Sequence, residues 1–396
     1  MRPAPARLFL PNAGGMSCTS PPDQLLQPTT MTIRAAFHDA LCAPARAAAI
    51  AALRLALTTG LALAAAMPVN VAAQPKAAAA AAAYDSRPEV RAFIDRMEQT
   101  HGFDRAGLQQ LFGQLRPSER VIHLMTPTTG GTYRRSWREY RTRFIEPTRI
   151  NGGLDFWQEN GANLKLASAL YGVPEEIIVA IIGVETIYGR NTGKFRVAEA
   201  LATLAFDYPS RADYFRSELE QFLLYSRENR IDPLEPLGSY AGAIGTPQFM
   251  PGSIRRFAVD LDKDGRIDLR NSTADAIGSV ASFLSRHGWV PDKPTHFQVS
   301  IAEPAQARRF IDAGPVPSFT ILELAESGIT SNDEIAQDEK LVLADLVNVD
   351  APADHVLGTQ NFYAITRYNR SYFYAMAVIE LATTLRQARS ATHPGS

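Results

Sequence analysis

At 396 residues, with 46% hydrophobic and 20% charged positions, the chain has enough apolar content to bury a large core, which excludes a disordered or fibrous protein. Forty Lys and Arg against 41 Asp and Glu leave a formal net charge of -1, so this is not a protein built to neutralise nucleic-acid phosphates wholesale. The 26 Gly and 26 Pro are scattered without an internal period, which argues for one large or two smaller domains rather than a repeat array.

Residues 1–73 read as a leader with a signal peptide. They are rich in Ala and Pro, and their one long apolar run, Leu55 to Ala66, follows Arg34, Arg46 and Arg54. That run has the length of a signal-peptide core and is too short to span a bilayer. Val71-Ala72-Ala73 offers a cleavage site, and Met16 and Met31 are alternative starts. Cys18 and Cys42 both precede the cut, so the mature chain is expected to lack disulfides, thiol nucleophiles and cysteine-ligated metals. Neither follows the apolar run, where a lipid anchor requires one. This predicts an exported, periplasmic protein, soluble rather than lipid-anchored. An Ala-rich linker, 74–87, then leads to a fold beginning near Pro88.

Val90, Phe93, Ile94 and Met97, then Leu108, Leu111, Phe112 and Leu115, predict two opening helices by their spacing. A Thr- and Gly-rich break from Pro127 to Thr132 precedes the stretch SWREYRTRFI. Val173-Pro174-Glu175-Glu176 predicts a helix start, because proline in the first turn gives up no hydrogen bond and the acids complement the helix dipole. Helices are expected to dominate to Arg230, with another from about Thr273 and a last from about Tyr372 to Leu385 before a tail, 387–396. Between Phe297 and Asn361 the texture changes. FQVSI, SFTIL, KLVLADLV and FYAIT are short apolar stretches parted by Pro, Gly and Asp, and they predict a small inserted β element. The expected fold class is α+β, mainly helical.

Ile177 to Val184 reads IIVAIIGV, without one polar side chain, and Glu185 follows directly. A carboxyl group against apolar neighbours has its neutral form favoured, which makes it a proton donor at neutral pH, as glycosidic cleavage requires. The alternative, from this helix alone, is a Glu satisfied by a buried Arg or a backbone N–H. Tyr188, just beyond, is expected to offer its ring to a sugar face. The loop GSYAGAIGTPQFMP, from Gly238 to Pro251, sets small residues around Ser239 and Gln248 and permits close approach of a ligand. No HExxH, GxSxG or phosphate-loop pattern occurs.

VETIYGRNTGKFRVAEALATLAFDYPSRADYF, GSYAGAIGTPQFMPGS and AITRYNRSYFYAMAV occur in that order, and from about residue 88 to 386 the chain resembles the B-type lytic murein transglycosylases. The resemblance implies a lysozyme-like catalytic core with an additional helical domain. It implies cleavage of the β-1,4 bond between N-acetylmuramic acid and N-acetylglucosamine in peptidoglycan, closing a 1,6-anhydro ring on muramic acid instead of adding water. No catalytic cofactor is implied. By motif, the family's catalytic Glu falls on Glu185, and sugar-binding positions fall on Ser239 and Gln248. Tyr140, Tyr368, Asn369 and Tyr374 match positions lining the substrate groove, and Arg211 matches one facing the peptide stem. Phe283 stands where relatives carry a Tyr, so one substrate contact is expected to be lost.

The chemistry implied is protonation of the leaving oxygen by Glu185, then attack by the sugar's own 6-hydroxyl with the carboxylate as base. Two readings compete with it. One is a noncatalytic peptidoglycan-binding protein; the other is a hydrolytic muramidase, which needs a second carboxylate, with Asp207, Asp213 and Glu218 as candidates. The expected partners are peptidoglycan glycan strands and peptide stems, with a cell-wall synthesis complex as a further one, and no nucleic acid.

Asp260-Leu261-Asp262-Lys263-Asp264-Gly265-Arg266-Ile267-Asp268 reproduces the first nine positions of an EF-hand loop. Asp260, Asp262 and Asp264 supply alternating carboxylates, Gly265 the sharp turn and Arg266 a carbonyl oxygen. Position twelve is Asn271, where Glu is usual. The resemblance implies an EF-hand-like structural Ca2+ site whose later acid falls on Asp275. Arg134, Arg135, Arg138, Arg141 and Arg143 read as a solvated face, the alternative being contact with peptide-stem carboxylates.

Overall fold

The computed structural model describes residues 83–126 and 136–392. The expected leader and signal peptide, both cysteines, most of the Ala-rich stretch, the Thr- and Gly-rich break, Arg134, Arg135 and residues 393–396 lie outside the described residues.

Helices α1 (Pro88–His101) and α2 (Arg105–Gln114) open the fold where their apolar spacing predicts them. Asp104 caps α2 by accepting the Gly107 N–H at 2.7 Å. Next come α3 (Glu119–Met125), α4 (Trp137–Thr142), α5 (Pro147–Glu159) and α6 (Gly161–Tyr171). They lead to α7 (Glu175–Thr186), whose residues from Ile177 to Val184 are all buried. A helix with no polar face must be enclosed, and α5, α6, α11 (Thr273–Arg286) and α15 (Tyr372–Thr392) pack around it. The helical series is completed by α8 (Val197–Phe206), α9 (Ala212–Glu228), α10 (Pro251–Phe257), α12 (Pro304–Ile311), α13 (Ile321–Ala325) and α14 (Gln360–Tyr368).

Strands β1 (Phe195–Arg196) and β2 (Leu237–Gly238) form a short antiparallel pair that ties the stretch after α7 to the small-residue loop. In the insert, β3 (His296–Gln298), β6 (Val342–Leu346) and β7 (Asp354–Gly358) make an antiparallel sheet in the order β3-β7-β6. Beside it β4 (Ser300–Ile301) pairs with β5 (Ile329–Thr330). A second small core, including Phe310, Leu324, Leu341, Leu343 and Leu357, sits under these strands, while one large core serves the helices.

The structure corrects the sequence reading in four places. Tyr84, inside the expected linker, is fully buried, and its hydroxyl donates to Asp207 at 2.6 Å, so the fold starts before Pro88. FYAIT is not a strand but the middle of α14, where Phe362, Ile365 and Thr366 share a buried face and Thr359 caps the start. SFTIL contributes only a single bridge at Phe319 before Thr320 and Glu323 form the capping box of α13. The expected tail is helical as far as Thr392, held by Arg386 on Glu176 at 3.3 Å and by Arg389 stacked over Trp157 at 4.3 Å.

Candidate active site

Glu185 is the penultimate residue of α7. The helix stops because Ile187, Tyr188 and Gly189 all take left-handed backbone, with φ of 52°, 58° and 83°. For a β-branched residue such as Ile187 this conformation is costly and has to be held in place by its surroundings. Glu185 keeps part of its surface accessible. Burial of the carboxyl group nevertheless dominates its titration and raises its pKa to about 7, against the opposing pull of a hydrogen bond from Tyr374.

That bond, from Tyr374 Oη to Glu185 Oε1, is 2.7 Å long. The Tyr374 ring stacks on Tyr368 at 6.2 Å and 15°, and Tyr368 Oη donates to the Pro247 carbonyl at 2.5 Å. Burial, reinforced by the nearby Glu185 charge, pushes both phenols well above their ordinary range, so they stay protonated donors. Phe283 is buried beneath them, 4.8 Å from Tyr368 and in ring contact with Phe249, Phe257 and His287. Half-buried Tyr140 belongs to a cluster with Trp137, Phe144 and Phe373. Asn369 is exposed at the end of α14, its carbonyl accepting from Ser371 N at 2.7 Å.

The small-residue loop folds against this set. Gln248 has φ of 52° and donates through Nε2 to the carbonyls of Gly245 at 2.9 Å and Thr192 at 3.1 Å. Ser239 Oγ accepts the Ala243 N–H at 3.0 Å. Gly245 is obligatory: with φ of 75°, an added Cβ would lie 2.2 Å from the Leu269 carbonyl oxygen.

Two candidates are placed elsewhere. The left-handed turn swings Tyr188 back beneath α7, where its ring packs on Phe156 at 5.4 Å and its hydroxyl donates to the Arg149 carbonyl at 2.8 Å. Gly153 and Gly183 make room for it, since a Cβ on either would lie 2.4 Å from the hydroxyl. Tyr188 is thus a packing residue, and the expected sugar platform is corrected. Arg211, exposed at the start of α9, lies over the rings of Tyr214 and Phe215 at 4.6 and 5.1 Å, away from the hydrogen-bonded set around Glu185 among the described residues.

The three acids that could assist hydrolysis are engaged. Asp207 holds Tyr84 and Arg87, each at 2.6 Å; Asp213 is exposed and paired with Arg216; Glu218 is buried and accepts the Gly252 N–H at 2.7 Å. Hollows of about 410 Å³ beside Phe103 and Leu111, and about 650 Å³ beside Gly172 and Trp289, contain none of the candidate residues.

In the acidic loop, oxygens of Asp260, Asp262 and Asp264 lie within 4.8 Å of one another, and Gly265 makes the turn with φ of 88°. Asp275 is buried behind them, accepting the N–H groups of Leu261 at 2.9 Å and Asp268 at 2.8 Å. It therefore braces the two ends of the loop and is not a member of the three-acid cluster. Its pKa is raised, first by burial and further by the charges of Asp262 and Asp260. Crowded carboxylates around a glycine turn are the donor set of a hard cation, and the residues fit one.

A mainly helical fold around one desolvated carboxyl group, with a tyrosine bound to it, is the plan of a lysozyme-like glycan-cleaving enzyme. Residues 85–383 match the model of the transglycosylase SLT domain, and the chain belongs to that family, the lytic murein transglycosylases. It is 42% identical over 313 residues to the membrane-bound lytic murein transglycosylase B of Escherichia coli K12, spanning 77% of this chain and 85% of that protein. The catenated lytic transglycosylase SltB1 of Pseudomonas aeruginosa is 44% identical and superposes with a TM-score of 0.73, over 77% of this chain and 99% of that one. Escherichia coli Slt35, solved with calcium, is 40% identical with a TM-score of 0.70, over 80% of this chain and 99% of that one. The chain is a peptidoglycan-cleaving enzyme, and neither the noncatalytic nor the hydrolytic reading is favoured.

Proposed function

We propose that Glu185 performs both proton transfers of peptidoglycan cleavage. The observation that carries this is a desolvated carboxyl group with Tyr374 Oη on one oxygen at 2.7 Å, while Asp207, Asp213 and Glu218 are committed to other partners. Protonated Glu185 donates to the leaving glycosidic oxygen as the bond to the muramic acid anomeric carbon breaks. The carboxylate left behind is stabilised by the Tyr374 hydroxyl. It then accepts the proton of the 6-hydroxyl, whose oxygen closes the 1,6-anhydro ring on that carbon. No water enters, so one carboxyl group suffices.

Around it, Ser239, Gln248, Tyr140, Tyr368 and Asn369 serve as sugar contacts, and Arg211 meets carboxylates of the peptide stem. The carboxylates of Asp260, Asp262 and Asp264 and the Arg266 carbonyl would hold Ca2+, with Asp275 bracing both ends of the loop from α11. A calcium ion there neutralises the crowded acids and has no part in proton transfer. We place the enzyme in the periplasm as an exported soluble protein; among the described residues no single helix is long and apolar enough to cross a membrane.

The test is mass spectrometry of fragments released from purified peptidoglycan by residues 74–396. Anhydro-muramic ends that vanish with Glu185→Gln are expected. Hydrated ends, or undiminished release by the variant, would overturn the assignment.

A further inference from the structure

We propose that Thr186, the residue after the acid, is a positioning residue for the cleavage: its hydroxyl fixes the small-residue loop against Glu185. This rests on Glu185 being the acid. Thr186 is fully buried, and a buried hydroxyl is costly unless it is used. Its Oγ1 donates to the Thr246 carbonyl at 2.8 Å and accepts the Gly189 N–H at 3.0 Å. The usual partner of a helical Thr, the carbonyl four residues back, is the longer contact here, at 3.3 Å to Ile182. The hydroxyl has turned from its own helix to a loop 60 residues further on.

Thr246 is held from the other side as well, its N–H donating to the Leu269 carbonyl at 2.9 Å. The next carbonyl, Pro247, accepts from Tyr368, and the next side chain is Gln248. The contacts close a ring. Glu185 is joined to Thr186 through the chain, Thr186 to Thr246 by its hydroxyl, and Pro247 to Tyr368; Tyr368 stacks on Tyr374, and Tyr374 returns to Glu185. No member of such a ring shifts relative to the carboxyl group without losing a hydrogen bond or a stack. The bond from Gly189 also steadies the left-handed turn that ends α7, so one oxygen secures the backbone after the acid and the loop beside it. Thr186 itself contacts no reacting atom in this scheme and acts through Glu185 and the loop.

The experiment compares Thr186→Val, which keeps the shape and removes the hydroxyl, with Thr186→Ser, which keeps the hydroxyl. Glu185→Gln is run beside them. We would measure kcat and KM across pH on a soluble glycan of alternating N-acetylmuramic acid and N-acetylglucosamine, with Tm recorded for each protein. Because misplacing a reacting group by about 1 Å costs roughly a hundredfold in rate, a loosened clamp in Thr186→Val is expected to cost about tenfold in kcat with KM little changed. The alkaline limb of kcat/KM should move to higher pH as the Tyr374 bond slackens, and Thr186→Ser should restore both rate and limb.

Wild-type kcat and limb in Thr186→Val, or equal impairment in Thr186→Ser, would overturn the clamp. If Thr186→Val does not fold, Thr186→Cys replaces it, since a thiol is a weak donor. Its kcat should then fall below that of Thr186→Ser, and equality of the two would count against the proposal. Activity in Glu185→Gln would overturn the assignment of the acid; inactivity there with an unimpaired Thr186→Val would overturn the clamp alone.

Discussion

The Tyr374 hydroxyl meets Glu185 Oε1 at 2.7 Å across 189 residues of sequence, joining the last helix to the end of α7. The bond is stronger to the carboxylate than to the neutral acid, so it assists the first proton transfer and restrains the pKa that burial raises. Tyr374→Phe should therefore move the alkaline limb of kcat/KM upward. Hydrogen bonds to charged groups are worth about 1.5–3 kcal/mol, so the rate below that limb should fall roughly 10- to 100-fold. An unmoved limb would separate Tyr374 from the titration of the acid.

Glu185 also couples stability to pH. Its folded-state value of about 7 lies above the ordinary 4.5, so the unfolded chain ionises more readily than the native one. Stability is fully present below about 4.5 and is lost as pH rises through about 7. Glu185→Gln keeps an acceptor for Tyr374 and cannot ionise. It should match the wild type at low pH and exceed it by about 1–3 kcal/mol above pH ~8, a range reduced because the side chain is partly open to water. Denaturant unfolding at both extremes checks this; a gap that does not widen with pH would refute it.

Much of this site is legible in the amino-acid sequence. An eight-residue apolar run ending in a carboxylate predicts both an enclosed helix and a perturbed acid, because burial and pKa follow from the same neighbours. What the sequence hides is pairing over distance. Nothing around Tyr374 marks Glu185 as its partner, and nothing in the VET segment shows that Thr186 reaches Thr246. Tyr188 was misread because adjacency to Glu185 says nothing of direction, which the left-handed turn reverses. FYAIT was misread because a five-residue apolar run has no period long enough to separate strand from helix.

Tyr84 puts the start of the fold before Pro88, and its place is testable. A lone aromatic after an alanine run gives no periodic signal, yet the ring packs 5.8 Å from Phe206 and its hydroxyl shares Asp207 with Arg87. Tyr84→Ala should cost about 3–5 kcal/mol, the scale of removing a buried aromatic ring. Tyr84→Phe should cost about 1.5–3 kcal/mol, the scale of one hydrogen bond to a charged group. A chain beginning at residue 88 should unfold with the alanine variant, and one beginning at 83 with the parent. Equal stability of the two truncated chains would make residues 83–87 dispensable.

Calcium should act on stability and loop order, and only through them on rate. Asp260, Asp262 and Asp264 repel one another, and a bound cation turns that repulsion into ligation. The loop is tied to the catalytic region through Leu269, whose carbonyl receives the Thr246 N–H, and through Asp275, which holds both ends of the loop. Adding calcium to chelator-treated protein should raise Tm, since ligand at about a hundredfold above Kd contributes about 2.7 kcal/mol. Amide exchange at Thr246 should slow in the same titration. Both effects should vanish in the Asp260→Asn, Asp264→Asn double variant. A Tm rise without slower exchange at Thr246 would make the ion a local staple with no reach into the site.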